Sequence, residues 1–92
     1  MTHYIALIHK EVDSGYGVSF PDVPGVIAVG DTLDSALHEA GVALGFAFED
    51  WAGERPMPRT LDELRKNAEF LEWSADAVVA AVTPASGIAE AA

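Results

Sequence analysis

The sequence has no cysteine and only five lysine or arginine residues among its 92 positions. Without cysteine there are no disulfides and no thiolate metal ligands, so the burial of apolar side chains must stabilise the fold, at roughly 25 cal/mol per Å² removed from water. No apolar run approaches the ~20 residues that span a bilayer, and the N-terminus has neither the cationic segment nor the long apolar stretch of a signal peptide. We therefore expect one cytoplasmic domain with a single core.

The shortage of basic residues gives the chain a formal net charge of −10, because 15 aspartates and glutamates oppose the five cations. Such a surface repels the phosphate backbone of nucleic acids, whose binding depends on Lys and Arg. It favours a basic protein partner, since complementary potentials speed association and suppress wrong partners. The alternative interpretation is that the charge only keeps a small domain soluble.

Short apolar segments predict three strands at the start of the chain and favour a fourth near its end. Residues 3–12 are rich in β-compatible side chains, and residues 16–20 place Tyr, Val and Phe on one face. The segment 21–25 contains two prolines and a glycine, which interrupt the sheet with a turn, and residues 26–29 resume as a third strand. Residues 77–83 suit either a buried strand or a helix, and the turn residues that follow closely favour the strand.

Two helices are predicted between the third and fourth strands. Asp31 or Thr32 caps the first helix, and Gly53 lies near its end. Thr60 and Glu63 form a capping box that begins a second, short helix. At about 100° per residue, the core stripe of the first helix comprises Leu33, Ala36, Leu37, Ala40, Leu44, Ala47, Phe48 and Trp51. The second helix is expected to turn Leu61, Leu64 and Ala68 inward.

The predicted fold class is α+β. We expect a two-layer domain with a three- or four-stranded antiparallel sheet and two helices on one face, in the order β-β-β-α-α-β. The domain is expected to cover residues 1–83. Residues 84–92 are expected to form a flexible tail without a DNA-binding module, because they are rich in alanine and carry no basic side chain.

Val42 and Phe46 depart from the stripe of the first helix, since they project nearly opposite the core, one turn apart. We interpret them as a candidate contact with a second subunit or another partner. The alternative is that the loop after the helix folds back and covers them. Together with the two-sided apolar strands, this pair favours a homodimer or a higher homo-oligomer.

No residue pattern points to catalysis, to a metal ion or to a cofactor. Asp22, Asp31 and Asp34 are close in sequence, but a turn and a helix start account for them, so a two-metal nuclease site is not expected. The three histidines have no cysteine partners and no metal-binding spacing on a helix. The serines lie in no nucleophile elbow or triad setting. We therefore predict that the chain is not an enzyme.

Residues 15–25 (GYGVSFPDVPG), followed by residues 30–37 (GDTLDSAL), resemble the HicB antitoxin family. In that family a GYxVxFPDxPG stretch leads into a GDTxxEA-type helix start, and the proline-containing link at residues 56–58 before a short helix also matches. The resemblance covers about residues 3–83. Its motif residues are predicted to be mainly structural: Tyr16, Val18, Phe20, Pro21, Asp22, Pro24, Gly25, Gly30, Asp31 and Thr32.

The resemblance implies a partial RNase H-like fold without nuclease activity and a role as an antitoxin. HicB-like proteins neutralise HicA, a small basic toxin that cleaves mRNA using a histidine, by masking its active site or its RNA surface. Many members continue into a helix-turn-helix or ribbon-helix-helix segment, whereas nine residues without a basic side chain follow Thr83 here. We therefore expect a HicA-like toxin as the partner, with no direct binding to nucleic acid or membrane. The alternatives are a solitary homo-oligomeric domain that regulates or senses a ligand, and an RNA-binding module, which the charge disfavours.

Overall fold

Four short apolar segments form one antiparallel sheet in the computed structural model, which describes residues 2–10, 12 and 15–85. The strands are β1 (Tyr4–Lys10), β2 (Tyr16–Ser19), β3 (Ile27–Gly30) and β4 (Val78–Val82), and the helices are α1 (Leu33–Glu49), α2 (Leu61–Leu64) and α3 (Ala68–Ser74). The strand order across the sheet is β3-β2-β1-β4. The predicted α+β class with an antiparallel sheet is confirmed, and the segment that suited either a strand or a helix is strand β4.

Strand β1 lies inside the sheet and carries apolar residues on both faces. It pairs with β2 on one edge and with β4 on the other. Strand alternation directs Tyr4, Ala6 and Ile8 to one side of the sheet. It directs Ile5 and Leu7 to the opposite side, and Ala6 and Leu7 are both fully buried. A strand buried on both faces needs a layer of side chains above it and another below it.

Helix α1 covers the face to which Ala6 and Ile8 point. The Ser35 backbone N–H donates to Thr32 Oγ1 and the Thr32 N–H donates to Ser35 Oγ, both at 3.0 Å, so Thr32 rather than Asp31 caps the helix. The buried core on this side consists of Tyr4, Ala6, Ile8, Val18, Phe20, Val23, Ala28, Ala36, Ala40, Leu44, Phe48 and Val82.

Helices α2 and α3 cover the opposite face of β1. Leu7, Leu64 and Phe70 form a second buried cluster there, against which Ile5 and Leu61 pack. The prediction of two layers with two helices on one face is therefore wrong. Within the described part of the chain the order is β-β-β-α-α-α-β, and the helices lie on both faces of the sheet.

Helix α3 was not predicted because Phe70 is the one buried residue among its seven. Asn67 ends the preceding apolar pattern, and its Oδ1 accepts the Phe70 backbone N–H at 3.0 Å, so it caps a new helix. Two predicted core residues are exposed: Ala68, which begins α3, and Leu33, which begins α1 ahead of its first buried residue. Gly53 adopts a left-handed φ of 82°, but α1 ends earlier, at Glu49.

The buried side of α1 includes two glycines because another part of the backbone passes directly over them. We call residues 83–85 the crossing segment. The Ala85 N–H donates to the Gly41 carbonyl at 2.9 Å. A Cβ on Gly45 would overlap the Ala85 carbonyl oxygen, whereas a Cβ on Gly41 would stand 3.3 Å from the Thr83 oxygen. The crossing segment thus includes the start of the expected flexible tail, and residues 86–92 lie outside the described residues.

Candidate partner-binding surface

The apolar half of the GYGVSFPDVPG motif builds the α1 side of the sheet. Val18 and Phe20 are buried, and Tyr16 packs half-buried against the same core. The Val23 N–H then donates to the Phe20 carbonyl at 3.2 Å and turns the chain. Gly25 has a φ of 101°, in the left-handed region that favours glycine. These residues therefore act through packing and chain direction.

The carboxylate of Asp22 joins this turn to the connector before α2. Asp22 Oδ2 accepts the Arg59 backbone N–H at 2.7 Å, and Oδ1 accepts Arg59 Nε at 2.6 Å. The Asp22 side chain is 7% exposed, while that of Arg59 is 45% exposed. Because Arg59 immediately precedes the cap of α2 at Thr60, Asp22 sets where this helix starts over the second face of the sheet.

The GDT part of the motif brings β3 and α1 into close contact. A Cβ on Gly30 would overlap the backbone of Ala36, and a Cβ on Gly15 would overlap the carbonyl oxygen of Gly30. Thr32 supplies the helix cap, and Asp31 beside it is exposed. Glycine is needed at both positions because backbones approach each other with no room for a side chain.

The candidate catalytic carboxylates do not converge on a metal-binding geometry. Asp22 binds Arg59, whereas Asp31 and Asp34 are exposed around the start of α1. Within residues 2–10, 12 and 15–85, no group of three or more His, Asp or Glu side chains is placed to hold a metal ion. His9 Nε2 donates to the Trp73 carbonyl at 3.0 Å and so links β1 to α3.

The sheet face opposite α1 is covered over β1 but exposed over β2 and β3. Ile27 and Val29 of β3 are 68% and 67% exposed. They are paired in register with Ser19 and Gly17 of β2, whose side chains are too small to cover them. We call these four residues the open face. It is an apolar, nearly flat surface that no element in the described part of the molecule covers.

Helix α3 lies on the same side of the sheet as the open face and presents an exposed aromatic residue there. Trp73 is 60% exposed, and its carbonyl accepts a hydrogen bond from His9, whose register partner on β2 is Gly17 of the open face. Glu69 and Glu72 line a groove beside the same tryptophan. The exposed side of α3 next to β1 therefore combines a large ring with two carboxylates.

The predicted contact pair on α1 lies on the other side of the sheet from the open face. Phe46 is 55% exposed. Val42 is half-buried and lines a groove between α1 and β4 together with His38 and Ala81. The loop after α1 does not cover Phe46, and Val42 is partly shielded by β4 and the crossing segment instead.

Sequence reasoning missed the open face and Trp73. Residues 26–29 (VIAV) are apolar on both sides of a strand. That pattern indicates a second apolar face, but which part of the face stays exposed depends on where the helices lie. Trp73 was not readable because α3 itself was not predicted. The exposure of Trp73 depends on the orientation of α3, which buried Phe70 fixes against the sheet.

The sequence of the chain is similar to known bacterial and phage proteins. A family model described as the HicB_like antitoxin of bacterial toxin-antitoxin systems matches residues 4–90. The chain belongs to the HicB-like antitoxin family. This HicB-like chain is 32% identical over 84 residues to an uncharacterised 14.9 kDa protein in the rep-hol intergenic region of Haemophilus phage HP1 (strain HP1c1), covering 88% of the chain and 63% of that protein.

Solved structures of HicB resemble this HicB-like chain over most of its length. The Burkholderia pseudomallei antitoxin HicB superposes with a TM-score of 0.73 at 30% identity, covering 95% of this chain and 66% of that one. Its N-terminal domain superposes with a TM-score of 0.70 at 30% identity, covering 89% and 96%. The chain therefore spans about two thirds of the longer proteins and nearly all of the isolated domain. In the described ranges, no helix has the length and apolar character needed to cross a bilayer.

Proposed function

We propose that this HicB-like chain is the antitoxin of a type II toxin–antitoxin pair, and that it binds a small basic HicA-like toxin and masks its active site. Family membership carries the proposal. The HicB structures it resembles are those of an antitoxin. The proposal includes a cytoplasmic location, since the toxins of HicB-like antitoxins act on mRNA.

The charge of the chain supports a basic protein as the partner. The formal net charge is −10, and no lysine or arginine follows Lys66. Some of the five cations are engaged within the fold, since Arg59 binds Asp22 and Arg55 donates to the Phe48 carbonyl. A basic toxin is thus attracted over a long range and oriented as it approaches.

Neutralisation by masking needs a firm complex and no chemistry from the antitoxin. We propose that the chain acts without catalysis, by occupying the surface on which the toxin binds RNA. An interface of standard size buries about 800 Å² per partner, which a domain of this size can supply from one face. A complex with a dissociation constant near 1 nM, about −12 kcal/mol, would keep the toxin masked at low protein concentrations.

The direct test is co-expression with the small basic protein encoded beside the gene, followed by affinity purification and an RNA-cleavage assay. We expect a stable complex in which cleavage is suppressed and returns when the chain is removed. An unrelated acidic domain of equal net charge serves as the control, because it separates specific masking from charge attraction. Undiminished cleavage in the presence of excess chain contradicts the antitoxin role.

A second candidate function is a homo-oligomeric regulatory or ligand-sensing domain, which the exposed ring of Phe46 on α1 favours. In that case the chain associates with itself through α1 and ignores toxin-like proteins. Light scattering on the purified chain together with the same pull-down distinguishes the two candidates. A dimer that binds no toxin supports the second candidate.

A further inference from the structure

We infer that the open face, with Trp73 at its border, is the surface on which the basic toxin docks. This inference rests on the proposed function and names the site through which that function operates. The surface combines three properties on one side of the sheet: exposed apolar strand residues, an exposed tryptophan and carboxylates.

The apolar part of the site is Ile27 and Val29. Both are about two-thirds exposed, whereas the solvent face of an antiparallel sheet usually carries polar residues. Their register partners on β2 are Ser19 and Gly17, so the floor of the site is flat and shallow. Contiguous exposed apolar strand surface is a common mark of a protein-interaction site.

Trp73 supplies the anchor of the site. Tryptophan is enriched among the few residues that dominate binding energy, because its ring buries a large area with little loss of side-chain freedom. The hydrogen bond from His9 Nε2 to the Trp73 carbonyl, together with buried Phe70, fixes this part of α3 against β1. The tryptophan is therefore presented on a rigid support.

Charge decides the identity of the occupant. Glu69 and Glu72 line a groove beside Trp73. Arg59 lines the neighbouring groove, but its guanidinium is bound to Asp22, so the two glutamates set the charge beside the tryptophan. A second copy docked here about a two-fold axis brings the same carboxylates of α3 against each other, which disfavours self-association at this face. A basic protein with an apolar patch has complementary charge at the same place.

The test measures binding of the full chain to the purified toxin encoded beside the gene, with the toxin's catalytic histidine replaced by alanine. Trp73→Ala and Val29→Lys are expected to raise the dissociation constant roughly 30-fold or more, the range of interface hot spots. Leu71→Ala is the matched control. Leu71 is 51% exposed on the same helix, but its helical position turns it away from the open face, and its loss is expected to change affinity less than about threefold.

Charge is tested on its own with the double variant Glu69→Gln and Glu72→Gln. We expect slower association at low salt and a weaker dependence of affinity on salt, since these carboxylates steer the toxin. Glu49→Gln, an exposed residue of α1 on the other side of the sheet, is the control and should leave the association rate nearly unchanged. Equal effects of the two changes contradict a specific acidic border.

The possible outcomes separate this inference from the proposed function. If the wild-type chain does not bind the toxin, the proposed function fails, and the docking site with it. If the wild type binds and folded Trp73→Ala and Val29→Lys bind as well as it does, the antitoxin role stands and the open face is refuted. If Val29→Lys lowers the mass of the chain alone in light scattering, a second copy occupies the face and the inference is overturned. Val29→Thr retains β-propensity and still removes apolar surface, so it decides the matter where Val29→Lys does not fold.

Discussion

Replacing Asp22 with asparagine tests whether this residue of the family motif acts by holding α2 in place. The change keeps the shape of the side chain but removes its charge and one of its two acceptor oxygens. A hydrogen bond to an ionised group contributes about 1.5–3 kcal/mol, which applies to the backbone N–H of Arg59 held by the nearly buried carboxylate. The guanidinium half of the contact adds less, about 0.2–1 kcal/mol, because Arg59 is 45% exposed.

The expected loss of unfolding free energy for Asp22→Asn is therefore about 2–3 kcal/mol. For a domain of this size that corresponds to a fall in Tm of about 10–20 °C, measured by circular dichroism. Asp31→Asn is the matched control: it makes the same chemical change within the same motif at an exposed position, and it should change stability by less than about 0.5 kcal/mol.

Hydrogen exchange locates the effect of Asp22→Asn within the fold. Because the carboxylate holds the connector before α2, the amides of Leu64 and Phe70 should lose more protection than those of α1. If the Tm of Asp22→Asn lies within about 2 °C of the wild-type value, Asp22 does not hold α2 in place. Such a change is well below the shift in Tm that about 1 kcal/mol causes in a domain of this size. A loss of protection as large in α1 as in α2 and α3 would also count against this role of Asp22.

Three further predictions address other parts of the molecule. Gly45→Ala should destabilise the fold by about 1–3 kcal/mol in urea unfolding, because the new methyl group overlaps the crossing segment. Gly41→Ala should be nearly neutral, since a helix propensity gain of about 1 kcal/mol offsets a tight contact. Equal effects at the two glycines would contradict this explanation. The pKa of Glu63 is lowered below its ordinary 4.5, first by the hydrogen bond from the backbone N–H of Thr60, so its stabilising effect is present above pH 4.5 and is lost as the pH falls through the lowered pKa. The Tm difference between wild type and Glu63→Gln should accordingly shrink between pH 6 and pH 3, and a constant difference would count against it. Phe46→Glu should weaken self-association if α1 is the contact between copies, and an unchanged mass in light scattering would reject that use of the helix.

The start of α2 and the long helix α1 were predicted correctly because residues close together in the sequence determine them. The capping box of Thr60 and Glu63 needs only two side chains three positions apart, and it is present in the structure. The long helix was predicted from periodicity because buried Ala36, Ala40 and Leu44 recur at helical spacing. Both signals lie within a few turns of the chain and do not depend on the rest of the fold.

The positions of α2 and α3 were not predictable in the same way, because long-range contacts determine them. Asp22 and Arg59 are 37 positions apart, and nothing near either residue specifies that they meet. The cluster of Leu7, Leu64 and Phe70 draws both helices to the second face of the sheet. The exposure of the open face has the same origin, since it depends on which part of that face the helices leave uncovered.

The crossing segment has a practical consequence for work with this protein. Because Ala85 is bonded to Gly41 of α1, the last described residue leaves the domain on the layer opposite the open face. A fluorophore or surface linker attached to a residue of the crossing segment therefore lies on the far side of the sheet from the inferred docking site. Immobilisation through the crossing segment should preserve toxin capture, whereas attachment through a residue engineered into β3 should abolish it.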